Sequence, residues 1–434
     1  MLEKLGITEL NEMQQEAGDA ILRGKQDVVV LSPTGSGKTL AYLLPLVQLL
    51  DARQDEVQAL VIVPGRELAL QSDRVLKDMG SGLRSAACYG GRTAMDEHRK
   101  LKQLRPQIVF GTPGRLNDHL DKENISPYGV KYLIIDEFDK CLEMGFHDEM
   151  ARLLKKLPGV RRRVLLSATD TDQIPDFVQM GRAVRLDYLM DEEQVSARVT
   201  LYEVKSTVKD KLETLKSLLC DLGAQQSIVF LNYRDAVERV DDYLRRQGFA
   251  TSAFHGGMEQ KQREDALYKF SNGSASVFVS TDLASRGLDI PDIQNIIHYH
   301  LPQNEQELVH RVGRTARWDK EGRTFFIVGP EEHIPEFIDA DMADYEPDGG
   351  SRQPAAPRMA TVYIGKGKKD KISKGDIAGF LCKKGGLEPA EIGRIDVMDR
   401  YAYAAVSRPR LQQVLRLTKG EKIKGIKTVI EPVK

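Results

Sequence analysis

The sequence predicts two tandem α/β domains, each a parallel sheet covered by helices, followed by a small α+β module. Three observations carry this. Short apolar runs rich in β-branched residues alternate with helix-like segments through the first half of the chain, the signature of strands buried on both faces. The same alternation restarts after about residue 198. Residues 359–434 then change character, with a net charge of +9 against −10 for everything before them.

In the first domain (1–190) the expected strands are Asp27–Leu31, Ala59–Val63, Ile108–Gly111, Tyr132–Ile135 and Val164–Leu166. In the second (198–335) they are Ile228–Leu231, Val277–Val279, Ile296–Ile297 and Phe325–Val328, with the joint near 188–198. Glu331–Gly350 holds eight acidic residues and no Lys or Arg, and Asp348–Pro357 is rich in Gly, Pro and Ser. That composition predicts a helix running into a flexible linker over 336–358. The module 359–434 reads strand (Thr361–Ile364), helix (Lys374–Lys384), strand (Ile392–Val397), strand (Tyr401–Val406), helix (Leu411–Leu417) and strand (Thr428–Ile430). This β-α-β-β-α-β order is that of ferredoxin-like and RNA-recognition folds.

A chain of 434 residues is long enough for about three domains with sizeable cores. No apolar run approaches the roughly 20 residues of a membrane span, and Met1 opens no charged-then-apolar leader. Both features argue against a membrane or exported protein. Cys88, Cys141, Cys220 and Cys382 stand far apart with no Cys-x-x-Cys pair, which argues against a structural zinc site or a disulfide framework and suits a reducing cytosol. A basic module on an acidic body points to a polyanion held by the tail; a solvated basic tail would have the same composition.

Ser32-Pro-Thr-Gly-Ser-Gly-Lys38-Thr39 follows the strand Asp27–Leu31 and opens a predicted helix. Its glycines let backbone N–H groups turn inward around phosphates, and the helix start adds positive potential. Thr34, Gly35, Ser36 and Gly37 would line the loop, Lys38 would reach the β/γ-phosphates, and the Thr39 hydroxyl would ligate Mg²⁺. The strict pattern begins with Gly, whereas residue 32 is Ser. Asp136-Glu137-Phe138-Asp139 ends the strand Tyr132–Ile135. There Asp136 can hold Mg²⁺ through water while Glu137 activates the attacking water. His310-Arg-Val-Gly-Arg314-Thr-Ala-Arg317 sets three arginines close together, able to neutralise a transferring phosphoryl group or simply to form a basic surface patch.

From Leu5 to Val328 these motifs stand in an order that resembles DEAD-box ATP-dependent RNA helicases. The series is Gln14, the phosphate loop, Pro64-Gly-Arg66-Glu-Leu-Ala, Gly90-Gly91, Thr112-Pro-Gly-Arg115, Asp136–Asp139, Ser167-Ala-Thr169, Phe230, Gln260-x-x-Arg263, Ser280-Thr281-Asp282, Arg286-Gly-Leu-Asp289 and His310–Arg317. The resemblance implies two RecA-like domains. It implies that Gln14 reads the adenine edge, that Asp289 contacts the nucleotide, and that Arg314 and Arg317 are arginine fingers. His310 and Asp139 would join Ser167 and Thr169 in a hydrogen-bonded relay. Arg66, Gly91, Thr112, Arg115, Arg263 and Thr281 would hold the RNA backbone, a contact that is salt-sensitive and blind to sequence. Three departures stand out: Phe138 replaces a small Ala beside the catalytic pair, Gly65 replaces a Thr, and the 13 residues before Gln14 lack the aromatic the family usually stacks on adenine.

The basic tail resembles the RNA-binding domain of DbpA-type helicases through Thr361-Val-Tyr-Ile-Gly and Ile392-Gly-Arg-Ile-Asp-Val-Met-Asp-Arg-Tyr-Ala-Tyr403. In an RNA-recognition layout Tyr363, Tyr401 and Tyr403 fall where aromatics stack on bases, or else they merely cover the sheet. Lys366, Lys368, Lys369, Lys371 and Lys374 form the other candidate surface. Together these features predict a cytoplasmic, monomeric helicase that uses ATP and Mg²⁺ to remodel structured RNA. By resemblance the target is ribosomal RNA during large-subunit assembly. A non-unwinding RNA clamp and a DNA helicase are the rival readings.

Overall fold

Alternate residues of the expected strands reach opposite sides of one sheet, and each side is apolar. Val28 and Val30 pack into one core with Ala59, Val61 and Ile134, while Val29 and Leu31 pack into a second with Leu60, Ile62, Leu133 and Ile135. A strand must be apolar throughout to satisfy two cores, which is why these runs do not alternate. The computed structural model of the chain describes residues 1–33, 35–91, 94–170, 174–189, 199–281, 293–312, 322–338, 341–348 and 353–433. Those residues fall into two units, divided within 190–198.

The first unit is built on β1 (Asp27–Leu31), β2 (Ala59–Ile62), β3 (Ser85–Cys88), β4 (Ile108–Gly111), β5 (Tyr132–Ile135), β6 (Arg162–Ser167) and β7 (Ala183–Asp187). They form one sheet in the order β3-β4-β2-β5-β6-β1-β7, all parallel. The second unit repeats the plan with β8 (Val199–Lys205), β9 (Ser227–Leu231), β10 (Thr251–Phe254), β11 (Val277–Thr281), β12 (Asn295–His298), β13 (Gly322–Val328) and β14 (Ala343–Asp344), in the order β10-β11-β9-β12-β13-β8-β14. The edge strands β3, β7, β10 and β14, and β8 beside β14, were not predicted. Ser85-Ala-Ala-Cys88 and Thr251-Ser-Ala-Phe254 lack the β-branched apolar run, because an edge strand completes only part of each core.

The tail module adds β15 (Met359–Ile364), β16 (Ile392–Val397), β17 (Ala402–Ser407), the hairpin β18 (Lys422–Ile423) and β19 (Ile426–Lys427), and β20 (Ile430–Pro432). Helices Lys374–Lys383 and Leu411–Thr418 lie in the predicted places. The antiparallel order β16-β17-β15-β20 is that of the β-α-β-β-α-β fold. Val362, Ile364, Ala404 and Val406 face its helices in a core of their own.

Two expectations about residues 331–358 need correction. No helix forms among the described residues there; Ala343–Asp344 instead pairs with β8, and Tyr345 packs edge-on against Tyr202 and Phe325. The acidic run is held by cations of the second unit: Lys211 pairs with Glu332 at 2.7 Å and Lys205 with Asp344 at 2.9 Å. Nor is the module merely tethered. The sheet face opposite its helices lies on helix Gln260–Ser271, where Tyr268 stacks on Tyr403 with ring centroids 4.6 Å apart and donates its hydroxyl to the Arg394 carbonyl at 2.7 Å. Asn272 donates to Thr361 at 2.8 Å, and Arg408 to the Ser274 carbonyl at 2.8 Å.

Candidate active site

The carboxyl edge of the first sheet carries two groups of residues, separated by strand order. On one half, β1, β5 and β6 deliver Lys38, Asp136, Glu137, Ser167 and Thr169. On the other, β2, β4 and β3 deliver Arg66, Thr112, Arg115 and Gly91. Open parallel sheets bind ligands at this edge.

The loop after β1 is shaped by Gly35 and Gly37, at φ +88° and +87°, where a side chain would be strained. A Cβ on Gly37 would also lie 2.2 Å from Gln14 Nε2. Gln14 forms a capping box with Asn11 at the start of helix Glu12–Arg23, and its Nε2 donates to the Gly37 carbonyl at 3.2 Å. Asn11 Nδ2 donates to the Ser36 carbonyl at 3.0 Å. The first helix is thereby fastened to the loop at two carbonyls.

Lys38 is buried and folds back so that Nζ donates to the carbonyls of Ser32 and Pro33, at 2.5 and 2.9 Å. Burial pulls its pKa down to about 8, against the pull of Asp136, Asp139 and Glu137 in the other direction. Asp136 is buried too, and desolvation together with the neighbouring Glu137 pushes it up to about 7. Glu137 takes the left-handed conformation, φ +52°, so its side chain leaves the strand axis. One carboxylate oxygen, Oε2, is buried without a hydrogen-bond partner, and the other lies 3.5 Å from Lys140 Nζ. Lys140, fully buried, is a charge the sequence reading passed over; its place three residues after Glu137 on a helix start was the available signal.

Asp139 accepts from the Ala168 N–H at 3.2 Å and the Thr169 hydroxyl at 3.1 Å, and Ser167 Oγ donates to the Thr169 carbonyl at 2.7 Å. Asp139, Ser167 and Thr169 are thus joined by hydrogen bonds within the first unit. His310 is buried on helix Glu305–Val312 of the second unit. Phe138 does not crowd the acidic pair: it is 1% exposed and belongs to the core with Cys141 and Leu165. Thr39, the second residue of helix Lys38–Leu49, is half-buried. Thr34, Asp289, Arg314 and Arg317 lie outside the described residues.

On the other half of the edge, Gly91 at φ +90° lets Arg66 approach, its Nη1 only 3.0 Å from where a Cβ would stand. Thr112 precedes helix Pro113–Asp121, and Arg115 in its first turn lies 3.6 Å from Glu97. In the second unit Arg263 is buried over the Phe254 ring at 4.3 Å and donates to the His255 carbonyl at 3.3 Å. Thr281 closes β11, also buried.

The tyrosines of the module are placed differently from expectation. Tyr403 is 0% exposed, sandwiched against Tyr268, with its hydroxyl on Asp265. Tyr401 donates to Glu264, and Lys261 Nζ sits 4.8 Å over the ring of Tyr363. Base stacking at Tyr403 is therefore ruled out while the module is docked: its face is spent on helix Gln260–Ser271. Sequence reasoning missed Glu264, Asp265 and Tyr268, whose partners lie more than a hundred residues away. Lys368, Lys369, Lys371 and Lys374 remain exposed. Lys366 is half-buried and paired with Asp370 at 3.1 Å. The β18–β19 hairpin brings Lys424 to the Lys371 carbonyl at 3.2 Å, enlarging the basic surface.

Comparison with known proteins agrees with this geometry. A profile described as DEAD/DEAH box helicase matches residues 11–177, one described as Helicase conserved C-terminal domain matches 210–319, and one described as DbpA RNA binding domain matches 361–432. The chain is 35% identical over 438 residues to the ATP-dependent RNA helicase DbpA of Escherichia coli (strain K12), covering 98% of this chain and 94% of that protein. It is 31% identical over 463 residues to the protein of the same name from Bacillus subtilis (strain 168), covering 98% and 95%. Among solved structures, Mss116p bound to ssRNA and AMP-PNP matches with a TM-score of 0.68 at 25% identity, covering 76% of this chain and 71% of that one. S. cerevisiae Dbp5 bound to RNA and ADP BeF3 shares the fold, with a TM-score of 0.70 at 24% identity over 80% of this chain and 92% of that one. Identity of this extent through all three modules settles the family: the chain belongs to the DbpA-type DEAD-box ATP-dependent RNA helicases, enzymes whose ATP hydrolysis is stimulated by RNA.

Proposed function

We propose that the chain uses ATP to remodel structured RNA locally, with ribosomal RNA of the assembling large subunit as its target, and that it works as a cytoplasmic monomer. The observation that carries this reading is the division of one sheet edge into a phosphate half (Lys38, Asp136, Glu137) and a basic, glycine-opened half (Arg66, Gly91, Thr112, Arg115). Nucleotide and nucleic acid chemistry then share one rigid element. The domain limits 1–190, 198–335 and 359–434 follow the same reading. No helix among the described residues is long and apolar enough to cross a membrane.

When a nucleotide enters, Lys38 Nζ exchanges its carbonyl partners for β/γ-phosphate oxygens, while the N–H groups of the loop Thr34–Gly37 turn to the same phosphates. The donor set fits a hard divalent cation, since Thr39 and Asp136 offer only oxygen. Mg²⁺ bound there would neutralise phosphate charge. Glu137 Oε2, buried and unpartnered, takes the proton of the attacking water. Gln14 reads the adenine edge by giving up its bond to Gly37, which would report nucleotide occupancy to the loop. The resemblance assigns Asp289, Arg314 and Arg317 to further nucleotide contacts and His310 to their support.

The module supplies the address through Lys366, Lys368, Lys369, Lys371 and Lys374, not through the covered tyrosine face. The test is RNA-stimulated ATPase and strand separation with a ribosomal RNA hairpin against a shuffled hairpin of equal length. Equal stimulation by both would remove the ribosomal target. ATP turnover without multiple-turnover strand separation would favour the clamp.

A further inference from the structure

The strand that leads into Gly90-Gly91 and the helix that carries Arg115 meet at a cluster the proposed function does not use. Cys88 ends β3, Glu97 lies on helix Ala94–Leu104, and His119 lies on helix Pro113–Asp121. They are 1%, 6% and 0% exposed, and one ligating atom from each lies within 4.8 Å of the other two. His119 Nε2 is 3.1 Å from Glu97 Oε2, while Nδ1 of the same ring is buried with no hydrogen-bond partner. His98 and Asp118 form a second set with His119 inside the same 4.8 Å limit. The His98 and His119 rings meet edge-on with centroids 5.1 Å apart.

A hydrogen bond between Glu97 and His119 would account for two of these residues. It does not account for a sulfur converging on the same point, nor for a second imidazole beside it. We propose that Cys88, Glu97 and His119 form a binding site for a divalent transition-metal ion of the zinc type, with His98, which shares a set with His119, a candidate for the fourth position. Sulfur, imidazole and carboxylate on one centre suit zinc and exclude magnesium, which takes oxygen. On binding, Cys88 releases its thiol proton to solvent and coordinates as thiolate; thiolate and carboxylate together balance the two positive charges of the ion. Glu97 is already oriented from behind. Its Oε1 accepts from the Tyr89 N–H at 3.3 Å, and Arg115 Nε stands 3.6 Å from Oε2. Such an ion would join β3 and helix Ala94–Leu104, which flank Gly91, to the helix that carries Thr112 and Arg115 at its start.

The test is metal content of the full chain, equilibrated with zinc, dialysed against metal-free buffer and measured by plasma mass spectrometry. About one zinc per chain is expected, and cobalt in its place should give a sulfur-to-cobalt charge-transfer band. Cys88→Ser and His119→Gln should each lose the ion, and Glu97→Gln, which preserves shape, should weaken its retention. Cys220→Ser, in helix Leu212–Leu222 of the other unit, should retain it. A wild-type chain that keeps no zinc overturns the site. So does cobalt bound without the sulfur band, or retention unchanged in Cys88→Ser and His119→Gln.

Discussion

Lys38 and Asp136 depend on each other. Each is buried, each is pushed toward its neutral form by desolvation, and each is the other's principal opposite charge. The proposed roles need both ionised, Asp136 as a carboxylate and Lys38 as an ammonium. Asp136, raised to about 7, takes up a proton as pH falls through that value; Lys38, lowered to about 8, loses one as pH rises through its own. The free enzyme's kcat/KM for ATP should therefore be bell-shaped, falling about tenfold per pH unit on either side of a narrow optimum. A profile flat from pH 6 to about 9 would separate these groups from nucleotide capture. Lys38→Ala should cut turnover by about 10²-fold or more. Glu137→Gln should slow hydrolysis by about 10²- to 10⁴-fold while ATP still binds, as measured by nucleotide retention against phosphate release.

Elements decide which of these side chains meet. Because β5 sits between β2 and β6, the acidic pair at its end stands between the phosphate loop and the basic strand ends, though 98 residues separate Lys38 from Asp136. Helix Gln260–Ser271 does comparable work in the second unit: Arg263 is aimed at β10, and Glu264, Asp265 and Tyr268 are aimed at the module. Tyr268→Ala should weaken the docking by about 3 kcal/mol, seen as faster hydrogen exchange at Met359–Ile364 and Ala402–Ser407. Unchanged exchange would mean that the remaining contacts suffice. On the open side of the module, replacing Lys368, Lys369 and Lys371 by Glu should lower the salt dependence of RNA binding. Each lost phosphate contact should reduce the slope of log K against log salt by about 0.9. An unaltered slope would return this loop to mere solvation.

At the scale of the whole molecule, charge is divided by task. The net −10 of residues 1–358 repels RNA at long range, so RNA must be drawn in by local groups and by the +9 tail. Removing Met359 onward should leave ATPase activity at saturating generic RNA and erase any preference for ribosomal RNA, read by comparing stimulation curves. Truncation also uncovers Tyr268, so the shortened chain should be less soluble than the whole. Arg314→Ala should lower kcat by about 10³-fold with nucleotide affinity retained, if it acts as an arginine finger; an unchanged kcat would make the cluster a surface patch.

The central strands, the phosphate loop and the acidic pair were legible in the sequence because their physics is local. A strand buried on both faces must be continuously apolar, a phosphate loop must have glycine where φ is positive, and a carboxylate at a strand end needs only the strand before it. Family, fold class and the β-α-β-β-α-β tail followed from such local signals in order. What the sequence left undecided were matters of long-range contact. Strands β3, β7, β8 and β10 gain their apolar neighbours only from the sheet. Phe138 turns into a core instead of the site, and Tyr403 looks the same in sequence whether it meets a base or Tyr268. The acidic segment 331–348 reads as a solvated helix until Lys205 and Lys211 lie opposite it. Cys88, Glu97 and His119 show no metal-ligand spacing; only the packing of one strand against two helices brings them together.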